Sequence, residues 1–493
     1  MNRQLNRLAV VSVVLLTALI VATTYWQAWA AGDLKAKQDN AIQRVVQFSI
    51  ARGLIYGPTT STVIATNRKV KQKGNTLYFR KYPLNGFAAQ TIGYSTQSHA
   101  QTGLEESMND YLTGSNTDLS NAFHNLLNKL GSATVHGDSL RLTLRPNAQK
   151  LAQRLLGDQC GAVVAMNPKT GAVYVMASSP TYNQNLAEQH YAQLLHIQGA
   201  CHEASALLNR ATQGRFTPGS TFKIVTAAAA LDTGAYTPSS GFDDPGYCTE
   251  YGQKISNALN PDQSAESYGH VTLAQGLEHS INSVFCNIGM HLGAKTIMDY
   301  AKRFGFYKVP PLETPAGERL PSGLLKPGTG TLDDNFDHAD PGRLAFGQFT
   351  LGVTPLQMCM VVAAIANGGI VPKPYLVQKI VGPDGSTIKT AHPGKLGRAI
   401  KPETAAELNQ MMQLVVTGGT GTSAAIPGIK VAGKTGTAET GTNHVYTAWF
   451  VSFAPADNPK VAVAVVLEKQ ANGFGGAVAA PIAKQVMQAL LGG

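Results

Sequence analysis

The chain has 493 residues, 44% of them hydrophobic and 14% charged, with a formal net charge of +10. That length holds two or three domains with at least one sizeable core, and the composition excludes a disordered or low-complexity chain. Basic residues are not interleaved with aromatics, which excludes a nucleic-acid reading, and Cys160, Cys201, Cys248, Cys286 and Cys359 form neither a CxxC pair nor a zinc pattern with histidine.

The first element is apolar. Leu8 to Gly32 carries no charged residue, between Arg3 and Arg7 on one side and Asp33 on the other. As a helix it is roughly 37 Å long, enough to cross a bilayer. We expect a single transmembrane signal-anchor over 8–30, with residues 1–7 as a cytoplasmic tail and the rest outside the plasma membrane, by the positive-inside rule. Tyr25, Trp26 and Trp29 then sit at the outer interface. The rival is a cleaved signal peptide, since Ala28-Trp29-Ala30 is an A-x-A pattern; the apolar run is longer than the usual h-region. Without Arg3 and Arg7 the remaining chain has 38 basic and 30 acidic residues, net +8, a balance suited to anionic lipids or wall polymers, or simply to solubility.

Residues 33–150 have weak patterning: a polar helix over Asp33–Ser49, then short β-like runs at Thr62–Thr66, Leu77–Arg80 and Leu140–Leu144. No catalytic constellation falls here, and the segment reads as a spacer or docking domain. From 155 to 493 the pattern strengthens. AVVAM (162–166), a turn and AVYVMAS (172–178) form a hairpin, followed by a mainly helical middle section. GIKVAGKTGTAE (428–439), YTAWFVSFAP (446–455) and KVAVAVVLE (460–468) form a meander, closed by a helix over Ala479–Leu491. Two strands before the helices and three after them join into one antiparallel sheet, an α+β domain. Five cysteines leave room for one or two disulfides and at least one thiol outside them. Cys286, four residues after Asn282, is expected to be unpaired.

One stretch of the middle section carries chemistry. In FTPGSTFKIV (216–225) a lone lysine, Lys223, stands three residues after Ser220 at the start of an alanine-rich helix. Positions i and i+3 share a helix face. A serine needs a neighbouring base to become a nucleophile, and a lysine among apolar residues loses its preference for the charged form. The spacing alone is weak: Ser386 and Lys389 share it, but in a strand, where positions three apart face opposite ways. Two later motifs add to it. Ser280-Ile281-Asn282 lies on a helical segment with apolar residues at 273, 277, 281, 285 and 288, and Lys434-Thr435-Gly436-Thr437 lies on a strand of the meander. Ser107-Met108-Asn109 and Lys169-Thr170-Gly171 repeat these tripeptides in settings without partners. Glu278 and His279 read as structural or surface residues.

The ordered set S-x-x-K, S-x-N, K-T-G resembles that of the penicillin-recognising serine acyl enzymes. NRA (209–211), GQFTLGVTPLQM (347–358), ANGG (366–369), TGGTGTSA (417–424) and WFVSFAP (449–455) extend the likeness to the class B penicillin-binding proteins, and within them to the actinobacterial penicillin-binding protein A type. The match covers roughly 155–490. It extends weakly into 50–150 through Gly93-Tyr94 and Thr102-Gly103-Leu104-Glu105. Residues 51–66 depart from the family's AspArgAsnGly-like turn, and Ser452 stands where the family commonly has glycine.

The resemblance implies a transpeptidase domain with a five-stranded antiparallel sheet and helices on both sides, on a mixed α/β pedestal of the dimerisation type. It implies a D,D-transpeptidase that cross-links peptidoglycan stem peptides ending in D-Ala-D-Ala, in division or septal wall synthesis, with no metal or cofactor. Ser220 would be the nucleophile and Lys223 its base. Ser280 would relay a proton, Asn282 would hold the peptide amide, and Lys434, Thr435, Gly436 and Thr437 would receive the terminal carboxylate. The N–H groups of Ser220 and Thr437 would form the oxyanion hole. β-Lactams would acylate Ser220, and a polytopic glycosyltransferase and divisome proteins would be partners. The alternatives are a D,D-carboxypeptidase or β-lactamase, which pass the acyl group to water, and a β-lactam sensor, which does not turn over.

Overall fold

The computed structural model describes residues 2–24, 47–72, 75–115, 136–203, 205–258, 265–442 and 444–492. Asn2–Thr24 is one helix, with Val10, Val14, Leu16 and Ile20 among its exposed apolar side chains. Residues 25–30 of the expected anchor and 33–46 of the expected polar helix lie outside the described residues. Among the described residues no helix is long and apolar enough to cross a membrane, so the expected transmembrane helix is not shown.

Two sheets organise the chain beyond this helix. The first has six strands, in the order Thr387–Thr390, Val377–Val381, Ser139–Leu142, Ile55–Tyr56, Val63–Gln72 and Asn75–Lys81. Ile55 pairs in parallel with Leu140, and the other neighbours are antiparallel. Four strands come from the N-terminal part and two from a hairpin some 240 residues further on, so this sheet ties distant stretches together. Beside it the Glu105 carboxylate is fully buried between two guanidinium groups. Arg52 Nη2 donates to Oε2 at 3.0 Å and Arg80 Nε to Oε1 at 2.7 Å, and the Tyr82 hydroxyl donates to Oε1 at 3.3 Å. Breaking such a pair leaves a buried charge without compensation.

The second sheet is antiparallel and five-stranded. We label its strands β1 (Gly161–Met166), β2 (Val173–Ser179), β3 (Ala432–Glu439), β4 (Val445–Ala454) and β5 (Val461–Ala471); their order is β3-β4-β5-β1-β2. Side chains alternate across a strand, and here both faces are apolar. Ala462, Ala464 and Val466 of β5 pack into one core, while Val461, Val463, Val465 and Leu467 pack into another with the helices Pro146–Leu156 and Ala480–Leu491. The first core is filled by the helical part of the domain, including helix α1 (Lys223–Asp232) and Pro355–Ala366. Every residue of α1 is buried, which is why its sequence is apolar all round. Ser452 is buried on β4 with its hydroxyl 3.5 Å from Met487 Sδ.

Two disulfides occur among the described residues, Cys160–Cys201 and Cys248–Cys286, and Cys359 is a buried free thiol. The expectation that Cys286 is unpaired is thereby corrected. Its partner lies 38 residues away on a short hairpin, Tyr247–Glu250 with Gln253–Ser256, that no local pattern ties to it.

Candidate active site

The Ser220 segment is held on several sides. Phe216 and Val353 exchange backbone hydrogen bonds, each at 2.9 Å, Trp449 Nε1 donates to Thr217 O at 3.0 Å, and Gly219 N–H donates to Gly347 O at 3.1 Å. Gly219 has φ +52°, and a Cβ there would sit 2.7 Å from Thr437 O. Gly436 meets the same restriction from the other side, 2.7 Å from Pro218 O. Glycine at both positions lets β3 press against the turn. Residues Gly219–Phe222 form a 3-10 turn that runs straight into α1. In that tighter helix side chains three apart eclipse, so Ser220 and Lys223 stack along one face.

The expected helical run from 273 to 288 is broken at Ser280. Leu273–Glu278 is one helix, and α2 (Asn282–Arg303) is another. Between them Ser280 has φ +60°, Ser280 N–H donates to Leu277 O at 3.3 Å, and Ile281 N–H donates to Gly276 O at 2.9 Å. These are the two bonds of a Schellman cap, with serine where glycine is usual. A non-glycine residue in that region costs roughly 1–2 kcal/mol. The turn aims the Ser280 carbonyl at Lys223, whose Nζ donates to Ser280 O at 2.5 Å, to Asn282 Oδ1 at 2.8 Å and to Ser280 Oγ at 3.3 Å. The amide nitrogen of Asn282 donates to Ser256 O at 3.1 Å. Asn282 therefore spends its amide oxygen on Lys223 and its nitrogen on Ser256.

Lys223 is fully buried, with Nζ 5.4 Å from the Phe285 ring centre and 6.0 Å from that of Phe346. Burial, reinforced by the positive charge of Lys434, pushes its amine well below the ordinary lysine value. Lys434, in the middle of β3, is also fully buried, and burial brings it down to about 7. Its Nζ donates to Thr435 O at 3.2 Å. Thr435 and Thr437 alternate with Lys434 along the strand. The Thr435 hydroxyl shares a 2.6 Å hydrogen bond with Thr420, and the Thr437 hydroxyl accepts from Gly475 N–H at 3.3 Å. β3 is the edge strand of the sheet.

The structure thus gathers Ser220, Lys223, Ser280, Asn282 and the 434–437 stretch around one point. It leaves the repeats elsewhere: Ser386 precedes the exposed strand Thr387–Thr390, and Lys169 lies on the β1–β2 turn with its Nζ on Asn458 Oδ1. Sequence reasoning missed Phe285 and Phe346 as the rings over Lys223, and Thr420 as the partner of Thr435. Phe285 carried a signal, lying on the apolar stripe three residues after Asn282. Among the described residues no group of three or more His, Cys, Asp or Glu is placed to hold a metal ion.

The chain is similar to known proteins over most of its length. The penicillin-binding protein transpeptidase domain matches residues 161–488, and the penicillin-binding protein A dimerisation domain matches 52–140. The peptidoglycan D,D-transpeptidase PbpA of Mycolicibacterium smegmatis is 33% identical over 518 residues, covering 100% of this chain and 99% of that protein. The protein of that name from Mycobacterium tuberculosis is also 33% identical, with 100% of both chains covered. The structure of penicillin-binding protein A from M. tuberculosis as a ceftriaxone acyl-enzyme complex superposes with a TM-score of 0.80 at 30% identity, over 91% of this chain and 100% of that one. The penicillin G acyl-enzyme complex gives 0.74 at 31% identity, over 90% and 100%. The chain belongs to the penicillin-binding protein transpeptidase family.

Proposed function

We propose that the protein is a peptidoglycan D,D-transpeptidase working through a serine acyl-enzyme. The observation that carries this reading is the buried Lys223 amine, three residues after Ser220, bonded to Ser280 and Asn282 and near enough to Lys434 to feel its charge. Family membership and the named activity of the PbpA relatives support it. Ser220 attacks the penultimate D-Ala carbonyl, and its proton passes to Lys223, poised by burial to take it. The N–H groups of Ser220 and Thr437 receive the oxyanion. Ser280, within reach of Lys223, returns a proton to the leaving D-Ala nitrogen. Lys434, Thr435, Gly436 and Thr437 bind the terminal carboxylate, and the donor peptide lies beside β3. Asn282 Nδ2 has a second N–H besides the one on Ser256, and with it can hold the peptide amide. An amine from a second stem peptide resolves the acyl-enzyme and forms the cross-link. β-Lactams react at Ser220 in place of the donor.

The finer reading places the catalytic domain outside the plasma membrane, tethered by a single helix over 8–30, and assigns the enzyme to septal wall synthesis with a polytopic glycosyltransferase and divisome proteins. The exposed apolar side chains along Asn2–Thr24 support the tether. The chemistry is tested by labelling with a fluorescent penicillin. Ser220→Ala should abolish labelling and Ser386→Ala should leave it intact; labelling of Ser220→Ala sinks the assignment. A donor thioester with a D-amino acid acceptor then separates aminolysis from the hydrolysis of a carboxypeptidase.

A further inference from the structure

Asp244, at the end of the strand Gly241–Asp244, is a buried carboxylate with no Lys, Arg or His ion pair among the described residues. Neutral donors hold it instead. Oδ1 accepts from Gly246 N–H at 2.9 Å, from Asn257 Nδ2 at 2.9 Å and from the Ser283 hydroxyl at 2.6 Å. Oδ2 accepts from Asn257 Nδ2 at 2.9 Å and from Tyr268 N–H at 2.9 Å. A buried charge of this kind is costly unless its bonds are met, and the short bond from Ser283 is the strong, charge-assisted type.

These bonds lead to the site. Because its Nδ2 faces the carboxylate, Asn257 can turn only Oδ1 towards α2, where it accepts from Ser283 N–H at 2.9 Å. Asp244 thus grips the first turn of α2 twice, through the Ser283 hydroxyl and, by way of Asn257, through the Ser283 backbone. A negative charge there also complements the helix N-terminus. The residue on one side of Ser283 is Asn282. The residue before Asn257 is Ser256, whose carbonyl holds Asn282 Nδ2. With its nitrogen tied to Ser256, the Asn282 amide can present only its oxygen to Lys223.

The geometry points to Asp244 and Ser283 as positioning residues for acylation: they fix which way the Asn282 amide faces, and through it the place of the Lys223 amine. This rests on the reading of Ser220, Lys223 and Asn282 as the acylating group. The two residues touch neither the nucleophile nor the proposed substrate path.

The experiment uses the full chain and a fluorescent penicillin, resolving the acylation rate constant from the dissociation constant of the preceding complex. Ser283→Ala removes one short bond from a carboxylate that keeps its other donors, so the fold should survive. The acylation rate constant should fall on the order of tenfold or more, the worth of one hydrogen bond to a charged group, with the dissociation constant unchanged. The pH profile of acylation should also move, because the amine loses a fixed acceptor. Ser283→Thr, which keeps the hydroxyl, should restore both. In an Asn282→Ala background, Ser283→Ala should slow acylation no further, since it acts through the missing amide. Wild-type rate and pH profile in Ser283→Ala overturn the inference. So do a loss that follows thermal stability alone without rescue by threonine, and full additivity with Asn282→Ala. Asp244→Asn is the second variant, expected to give the same split between rate and binding. Failure of the underlying reading shows separately, as labelling that persists in Ser220→Ala.

Discussion

Lys223 and Asn282 lie 59 positions apart, and the amine of one meets the amide oxygen of the other at 2.8 Å over the rings of Phe285 and Phe346. The contact gives a buried amine acceptors without a counter-ion. A carboxylate in place of Asn282 would hold the proton on Lys223. The neutral amide oxygen and the Ser280 carbonyl satisfy the N–H groups while burial and Lys434 still push the amine towards its neutral form.

Lys223→Arg separates charge from basicity. Arginine keeps a cation near the site but stays protonated at every accessible pH. We expect no penicillin labelling above the Ser220→Ala background, although the protein remains folded by circular dichroism. Labelling at the wild-type rate would remove Lys223 from the role of base.

Gly219→Ala tests the close approach of the nucleophile turn to β3. A methyl group would lie 2.7 Å from Thr437 O at a residue with φ +52°. The strain is of order 1–2 kcal/mol before any clash, and relief requires the turn to back away from β3. Acylation should slow by at least tenfold, with a loss of a few degrees in Tm. Wild-type acylation kinetics would mean that the approach does not set the reactive geometry.

The motifs and their local structures were legible because their signals are local. A Pro-Gly break followed by alanines favours a helix start, and Lys434 lies in a run followed by two strongly apolar strands of the same meander. What could not be read depends on long-range contact or on strained backbone. Ser280 adopts a left-handed conformation that its residue type disfavours, so the apolar stripe from 273 to 288 reads through a break that the structure makes. The Cys248–Cys286 pair and the Asp244–Ser283 bond join segments 38 and 39 residues apart. The strands Val377–Val381 and Thr387–Thr390 join a sheet begun at Ile55. Nothing in their own alternation names that partner.

Glu105→Gln tests the N-terminal part on its own terms. The substitution leaves Arg52 and Arg80 buried without their shared counter-charge, at a cost of about 3–5 kcal/mol. Thermal unfolding should begin at lower temperature, while penicillin labelling well below the transition stays near wild type, because none of the Ser220 contacts involves this network. An unchanged unfolding profile would show that the network adds no stability.

The pH dependence of acylation should carry the signature of Lys434. An amine brought down to about 7 loses charge as pH rises through neutrality. A β-lactam bearing a carboxylate should therefore acylate more slowly at alkaline pH, with the loss in binding rather than in the chemical step. Lys434→Arg, which stays cationic, should flatten that limb. An alkaline limb unchanged in Lys434→Arg would assign it to another group.

The same amine should make the fold itself pH-dependent. Lys434 titrates at about 7 when folded and at the ordinary value of 10.5 when unfolded. Above 10.5 it is neutral in both states and burial is without charge penalty. Between the two values only the unfolded chain holds the proton, so this group's contribution to stability rises with pH across that window. Below about 7 both states are protonated and the penalty is constant, roughly 3–5 kcal/mol from the size of the shift. Lys434→Met removes the charge and keeps the length. At about pH 6–7 it should unfold at a higher temperature than wild type while losing β-lactam acylation, a site residue kept against stability. Its advantage should shrink steadily as the melts are repeated towards about pH 10. An advantage that stays constant across those melts would mean that the amine is not desolvated by its place on β3.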